Sequence, residues 1–196
     1  RIGSSAASDV YKRQAWAYGL DGNLLNVSGN EGFPDLDKNS HGLIEVETQE
    51  KCGLIFVTQK KAISDGALAS LPTLISEDQK VFDYSTFLDE ANWKILLETA
   101  MEGYHIKALH NKTFYPYGFD NLNIVETFGM NSRIVFPFRR IEKLREIPKN
   151  DWKADGMLTY VTQIYPNARL SILSNHYQLV IMEPISISTS RWHVYR

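Results

Sequence analysis

From Leu122 to the C-terminus, apolar and polar residues alternate with a period of two. The segments NIVETF, RIVFPFR, MLTYVTQIY, ARLSILS, YQLVIMEP and ISTSRWHVY are separated by turn residues such as Pro166-Asn167 and Asn175, and each is predicted to be a strand. Ile185, Ile187 and Thr189 alternate with Ser186, Ser188 and Ser190, which predicts a strand with one polar face. Short strands that follow one another without long helices predict an antiparallel sheet. Upstream, AWAYGLDGNLL predicts a hairpin turning at Asp21-Gly22, followed after a polar loop (Ser28–His41) by strands in LIEVET and CGLIFVT. Lys60–Asp89 reads as a polar connector with a short helix at Thr86–Glu90, and Thr113–Asn121 reads as a loop.

Between connector and loop lies Asn92–His110, NWKILLETAMEGYHIKALH, where the apolar period is helical. Asp89 or Asn92 is its predicted N-cap. At about 100° per residue, Glu98, Glu102, His105 and Leu109 share one face, whereas His110 lies roughly 140° from His105. The two imidazoles therefore meet at one point only if the helix bends or ends between them. Acids and histidines on a helix often form nothing more than a solvated face. Here Leu96, Leu97, Met101, Ile106 and Leu109 surround them, and ionisable groups in apolar surroundings need a partner, a proton or a metal. Two imidazoles and a carboxylate from elsewhere make the facial triad of non-haem Fe(II) sites, which keeps coordination positions open.

Composition narrows this picture without redirecting it. The chain has 196 residues, 43% hydrophobic and 22% charged, with a net charge of −2, as expected of a globular protein with one large or two small cores. The basic run Arg139–Arg145 predicts a solvated turn or helix, not a nucleic-acid surface. No apolar run reaches about 18 residues, so no membrane-spanning helix is expected. The single cysteine, Cys52, is predicted to be a small buried residue of a strand; it excludes an internal disulfide framework and fits a cytoplasmic location. Residues 1–14 differ from the rest: Ser4–Gln14, SSAASDVYKRQ, looks like a translated sequencing-library adaptor and is set aside from the fold.

Asn92-Trp93-Lys94, then Glu102-Gly103-Tyr104-His105 and, after four residues, His110, is similar to the iron-binding signature of the Rieske-type ring-hydroxylating oxygenases, large (α) subunit, in which NWK precedes (D/E)-x-YH-x4-H. Ala15-Trp16-Ala17-Tyr18 resembles the sequence after that family's second cluster motif, and GLIFV resembles the last strand of its cluster domain. The resemblance runs from about Ala15 to Arg196 and implies an α+β chain. Residues 15–58 would be the end of an all-β Rieske [2Fe-2S] domain and 59–88 a connector. Residues 89–196 would be a C-terminally truncated helix-grip (START-like) catalytic domain with an antiparallel sheet.

The resemblance also implies roles. His105 and His110 would ligate a mononuclear Fe(II), and Glu102 would be the catalytic acid linking His105 to a cluster-ligating histidine of the next subunit. Tyr104 would pack around the site, and Glu98 would serve the helix surface or support a ligand from behind, not bind the metal directly. The third iron ligand, an aspartate, would lie beyond Arg196, and the cluster's two cysteines and two histidines before Ala15. Asp151, Asp155, His41, His176 and His193 are given no ligand role. The intact protein would be an oxidoreductase, a mono- or dioxygenase. With O2 and NAD(P)H electrons passed on by a reductase or ferredoxin, it would hydroxylate or demethylate an aromatic or quaternary-amine substrate as a homotrimer, and the fragment alone would be inactive. The competing reading is a helix-grip module that binds a hydrophobic small molecule without metal. Hydrolytic zinc chemistry is weaker still, because E-x-x-H-x4-H lacks the H-E-x-x-H spacing.

Overall fold

The computed structural model describes residues 15–58, 68, 71–76, 78–173 and 176–196. The adaptor-like segment 1–14, the turn at Asn175 and much of the connector (59–67, 69–70 and 77) lie outside the described residues. The chain divides into two compact units, one within Arg1–Gln49 and Val57–Lys61, the other comprising Glu50–Phe56 and Ala62–Arg196.

In the first unit, β1 (Ala17–Tyr18) and β2 (Leu24–Asn26) pair antiparallel around the expected turn. Gly22 supplies the left-handed residue of that turn at φ 82°, and its carbonyl accepts from Leu43 N–H at 2.8 Å. Trp16 meets Phe33 edge to face at 5.9 Å, while Leu24 and Val27 are buried. The strand expected from Leu43 begins only at Glu47. Ile44 is 91% exposed, so its alternation has no apolar face to pair with. β3 (Glu47–Lys51) and β4 (Leu54–Thr58) form a two-stranded sheet.

Cys52 corrects a second expectation. It lies in the β3–β4 turn at φ 56°, half-buried, and is not part of a strand. Within the second unit it packs with Leu54 and Phe56 against Leu71, Leu74, Ile164 and Leu170.

The second unit is built on a seven-stranded antiparallel sheet in the order β5-β11-β10-β9-β8-β7-β6. Its strands are β5 (Tyr84–Asp89), β6 (Ile124–Phe128), β7 (Asn131–Pro137), β8 (Leu158–Ile164), β9 (Ala168–Ile172), β10 (Tyr177–Ser186) and β11 (Thr189–Tyr195). All six strands expected after Leu122 form. The short helix expected at Thr86–Glu90 does not, because this stretch is edge strand β5. Cross-strand aromatic pairs hold it to β11: Phe87 stacks on Trp192 at 5.0 Å and Tyr84 lies tilted against Tyr195 at 4.8 Å. The Ile185/Ile187 alternation is also corrected. Ile187 lies in the tight β10–β11 turn and is 90% exposed, so it marks no sheet face. The basic run forms a 3-10 segment, Arg139–Glu146, as a solvated turn should.

The sheet's two faces differ. One carries Ile134 and Phe136 of β7, Val161 of β8, and Val180, Met182 and Val194 of β10 and β11, and is covered by two short helices. The other carries Ile164, Leu170, Tyr177 and Leu179 against Leu71 and Leu74. On this second face a cavity of about 640 Å³ is lined by Leu54, Ile75, Phe82, Leu179 and Tyr195, with none of the candidate iron-site residues.

Candidate functional site

Asn92–His110 is not one helix. α1 (Trp93–Ala100) and α2 (Ile106–Leu109) are separated by Met101–His105. Asn92 caps α1 by accepting from Lys94 N–H at 3.0 Å, and Met101 N–H ends it by donating to Glu98 O at 2.9 Å. Gly103 explains the break. It is a poor helix former, and a Cβ there would lie 2.6 Å from Asp120 O and 3.0 Å from Phe136 Cε1, so only glycine lets this turn press so closely against β7 and the following loop. Leu97, 1% exposed, anchors α1 on Val180, Met182 and Val194; Ile106 anchors α2 on Ile134 and Phe136.

The break at Gly103 lies upstream of both histidines. His105 precedes the single turn of α2 and His110 follows it. Their rings come together with centres 5.3 Å apart and planes at 67°. Two imidazoles that share one ion at about 2.0–2.1 Å from each nitrogen have ring centres roughly 4.5–5.5 Å apart. The pair thus has the spacing of a shared ligand site.

Glu102 reaches back over the break. Its Oε2 accepts from the backbone N–H groups of Tyr104 and, at 3.3 Å, His105, and its Oε1 meets His105 Nδ1. Partial burial pushes the Glu102 carboxyl up, but the His105 ring and the Tyr104 N–H outweigh this and hold it below its ordinary value. An ionised carboxylate can only accept, so a neutral His105 ring must carry its proton on Nδ1. Its Nε2 lone pair is then free and makes no hydrogen bond to a described residue. His110 is held more loosely: Thr113 Oγ1 lies 3.4 Å from its Nδ1, and a hydroxyl suits either tautomer. Its Nε2 is likewise without a partner among the described residues.

The remaining candidates stay apart. Glu98 is exposed on α1, and no side-chain partner joins it to the histidines. Tyr104, expected to pack around the site, is 89% exposed, because the break turns it outward. Leu109, expected among the packed apolar residues, is 74% exposed. His41 contacts Ser40 Oγ and Asp37 O in its own loop. His176 stacks edge-on against Phe82, and His193 lies between Glu183 and Tyr84. Asp151 sits in a 3-10 turn and Asp155 is exposed. Among the described residues, no group of three or more His, Cys, Asp or Glu is arranged to hold a metal ion. Sequence reasoning missed Gly103 and Thr113. A glycine inside a helical apolar pattern is the signal that could have marked the first.

Three comparisons bear on this arrangement. Residues 78–196 match the family described as ring hydroxylating alpha subunit (catalytic domain). The chain is 35% identical over 102 residues to the glycine betaine monooxygenase oxygenase subunit of Chromohalobacter salexigens, covering 48% of this chain and 22% of that protein. It is 27% identical over 106 residues to the carnitine monooxygenase oxygenase subunit of Escherichia coli, covering 49% of this chain and 28% of that protein. The chain thus spans less than a third of either relative's length. In fold it is similar to a quaternary ammonium Rieske monooxygenase solved with L-carnitine, at TM-score 0.69 and 17% identity over 93% of this chain and 49% of that one. It is also similar to naphthalene 1,2-dioxygenase with indole bound, at TM-score 0.64 and 16% identity over 93% of this chain and 51% of that one.

Proposed function

Since this chain belongs to the ring-hydroxylating alpha-subunit family, whose members are Rieske non-haem iron oxygenases, we propose that it forms the iron-binding part of an oxygenase catalytic domain. In this reading residues 89–196 belong to the catalytic domain and 15–58 to the end of the cluster domain. His105 and His110 hold a mononuclear Fe(II), and a third, carboxylate ligand comes from outside these 196 residues. The paired imidazoles carry the proposal, with ring centres 5.3 Å apart and both Nε2 atoms unclaimed. Two neutral imidazoles suit ferrous iron, so the donor set present fits the ion as far as it goes. When bound, the iron supplies open coordination positions for dioxygen and substrate.

The chain's own residues set the conditions. Glu102 holds His105 in the tautomer that offers Nε2, and the single turn of α2 between the histidines sets the spacing of the two rings. The Glu102 side chain is 41% exposed, and each carboxylate oxygen has a second lone pair. A donor from outside this chain can therefore approach it. We assign that donor as a histidine of a [2Fe-2S] cluster in a neighbouring subunit of a homotrimer. The cluster must be ligated elsewhere, because the chain has one cysteine, Cys52. Electrons come from NAD(P)H through a reductase or ferredoxin.

The substrate is a small organic molecule, hydroxylated or demethylated in the cytoplasm. The betaine and carnitine enzymes among the relatives favour a quaternary amine over an aromatic hydrocarbon. Among the described residues no helix is long and apolar enough to cross a membrane. A metal-free binding module would have no use for a carboxylate that fixes one imidazole tautomer beside a second imidazole.

Anaerobic Fe(II) titration of the chain tests the metal site. One weakly bound ion is expected, lost in both His105→Ala and His110→Ala. Unchanged binding in either variant would refute the assignment.

A further inference from the structure

The sheet turns an arginine toward the helices at its very middle. β9 is the central strand, and its Arg169 is paired with Val180 of β10 on one side and Gln163 of β8 on the other. Residues paired in this way point to the same face. Val180 packs beneath Leu97 of α1, and Val161, two residues before Gln163, packs with Ile106 of α2. Arg169 therefore stands on the helix-covered face, on the strand between those touched by α1 and those touched by α2.

A guanidinium in that position ordinarily has a carboxylate beside it. Arg169 has none among the described residues. Its Nε is buried without a hydrogen-bond partner, and so is the indole N–H of Trp192. The two are neighbours, with Arg169 Cζ 5.7 Å from the Trp192 ring centre. Burial pushes the Arg169 pKa below its ordinary value, with no charged neighbour opposing the shift. The indole face offers part of the compensation a desolvated cation needs, but it leaves both N–H groups unpaired.

We propose that Arg169, with the indole N–H of Trp192, is the anchor for the carboxylate of an organic-acid substrate. A planar guanidinium matches a planar carboxylate through paired N–H donors, and the desolvated cation favours a ligand that brings one negative charge. Trp192, half-buried on the same face, presents its apolar ring to the ligand's organic body. This deepens the oxygenase reading and rests on it in one respect, that the helix-covered face is the substrate side.

The test needs no iron, so the anchor and the metal site fail separately. Calorimetric titration of the chain uses probe pairs that differ at the carboxylate, glycine betaine against choline and benzoate against benzyl alcohol, with inorganic phosphate as competitor. At least one carboxylate should bind about tenfold or more tightly than its alcohol. Arg169→Gln should remove that preference while leaving the alcohol's affinity unchanged, and Arg169→Lys should retain only part of it. Equal binding within both pairs of the unmodified chain, or no binding of either carboxylate, would overturn the proposal. So would a preference that survives in a folded Arg169→Gln, or phosphate displacing the acids at equal concentration. The comparison within the unmodified chain decides the matter even if Arg169→Gln does not fold.

Discussion

Glu102 decides which nitrogen His105 presents. Its Oε1 meets Nδ1 of the ring, its Oε2 takes the Tyr104 N–H that orients the same turn, and Nε2 is left as the only free lone pair. Glu102→Ala frees the ring to rotate and to change tautomer, whereas Glu102→Gln keeps an acceptor but loses the charge. Groups that orient a metal ligand typically contribute about 10–100-fold in affinity. Fe(II) titration should therefore show a loss of this order for Glu102→Ala and a smaller one for Glu102→Gln. Equal affinity in all three proteins would show that Glu102 does not orient the ligand.

Gly103 sets the approach of the helix break to β7. A methyl group there would meet Asp120 O at 2.6 Å, and a backbone oxygen cannot move aside as a flexible side chain can. Gly103→Ala should cost about 1–3 kcal/mol by overpacking, read as a lowered urea midpoint with unchanged slope. The displaced turn should also weaken Fe(II) binding, because His105 follows two residues later. A stable variant with native iron affinity would mean that the break tolerates a side chain.

The fold is legible in the sequence wherever a single local pattern agrees with the environment that receives it. The downstream strands read correctly because Ile134, Val161, Leu170, Val180 and Val194 alternate in a sheet buried on both faces. Tyr84–Asp89 does not read as a strand on its own, since its order comes from Trp192 and Tyr195, more than a hundred residues away. The helix break is hidden for a related reason. The apolar period of Asn92–His110 continues through Gly103, whose poor helix propensity is the local sign of a break, and the approach of Asp120 and Phe136 shows why the helix stops there. The candidate site residues stand out in the sequence as a motif, but the spacing of their rings does not. The two imidazoles flank the intact turn of α2, which an ideal wheel would set about 140° apart, yet their ring centres lie 5.3 Å from each other.

Leu97 is the main apolar attachment of α1 to the sheet, at 1% exposure among Val180, Met182 and Val194. Leu97→Ala should cost about 2–5 kcal/mol, and Ile95→Ala, at an exposed position of the same helix, much less. Urea denaturation of the two variants makes the comparison. Similar losses at both positions would mean that α1 is not anchored through this face.

Glu183 on β10 gives a pH dependence independent of the iron site. Its Oε2 accepts from His193 Nε2 at 3.0 Å and from Arg191 at 2.9 Å across the β10–β11 pair. The His193 ring is the main cause holding its carboxyl below the ordinary 4.5; slight burial opposes this and Arg191 adds to it. A carboxyl whose pKa is depressed by folding stabilises the native state fully above its unfolded pKa, and that contribution disappears as pH falls through the lower folded value. Glu126, paired with Arg133, is depressed too and titrates in the same direction, so acid melting of the wild type alone does not isolate Glu183. The difference between wild type and Glu183→Gln does. Because the pair is exposed, the gap in melting temperature should be small at pH 7 and shrink in high salt. It should stay constant down to about pH 5 and close below 4.5. A gap that persists unchanged to pH 2.5, or one that opens only on acidification, would show that the carboxylate is not what β10 and β11 gain from this residue.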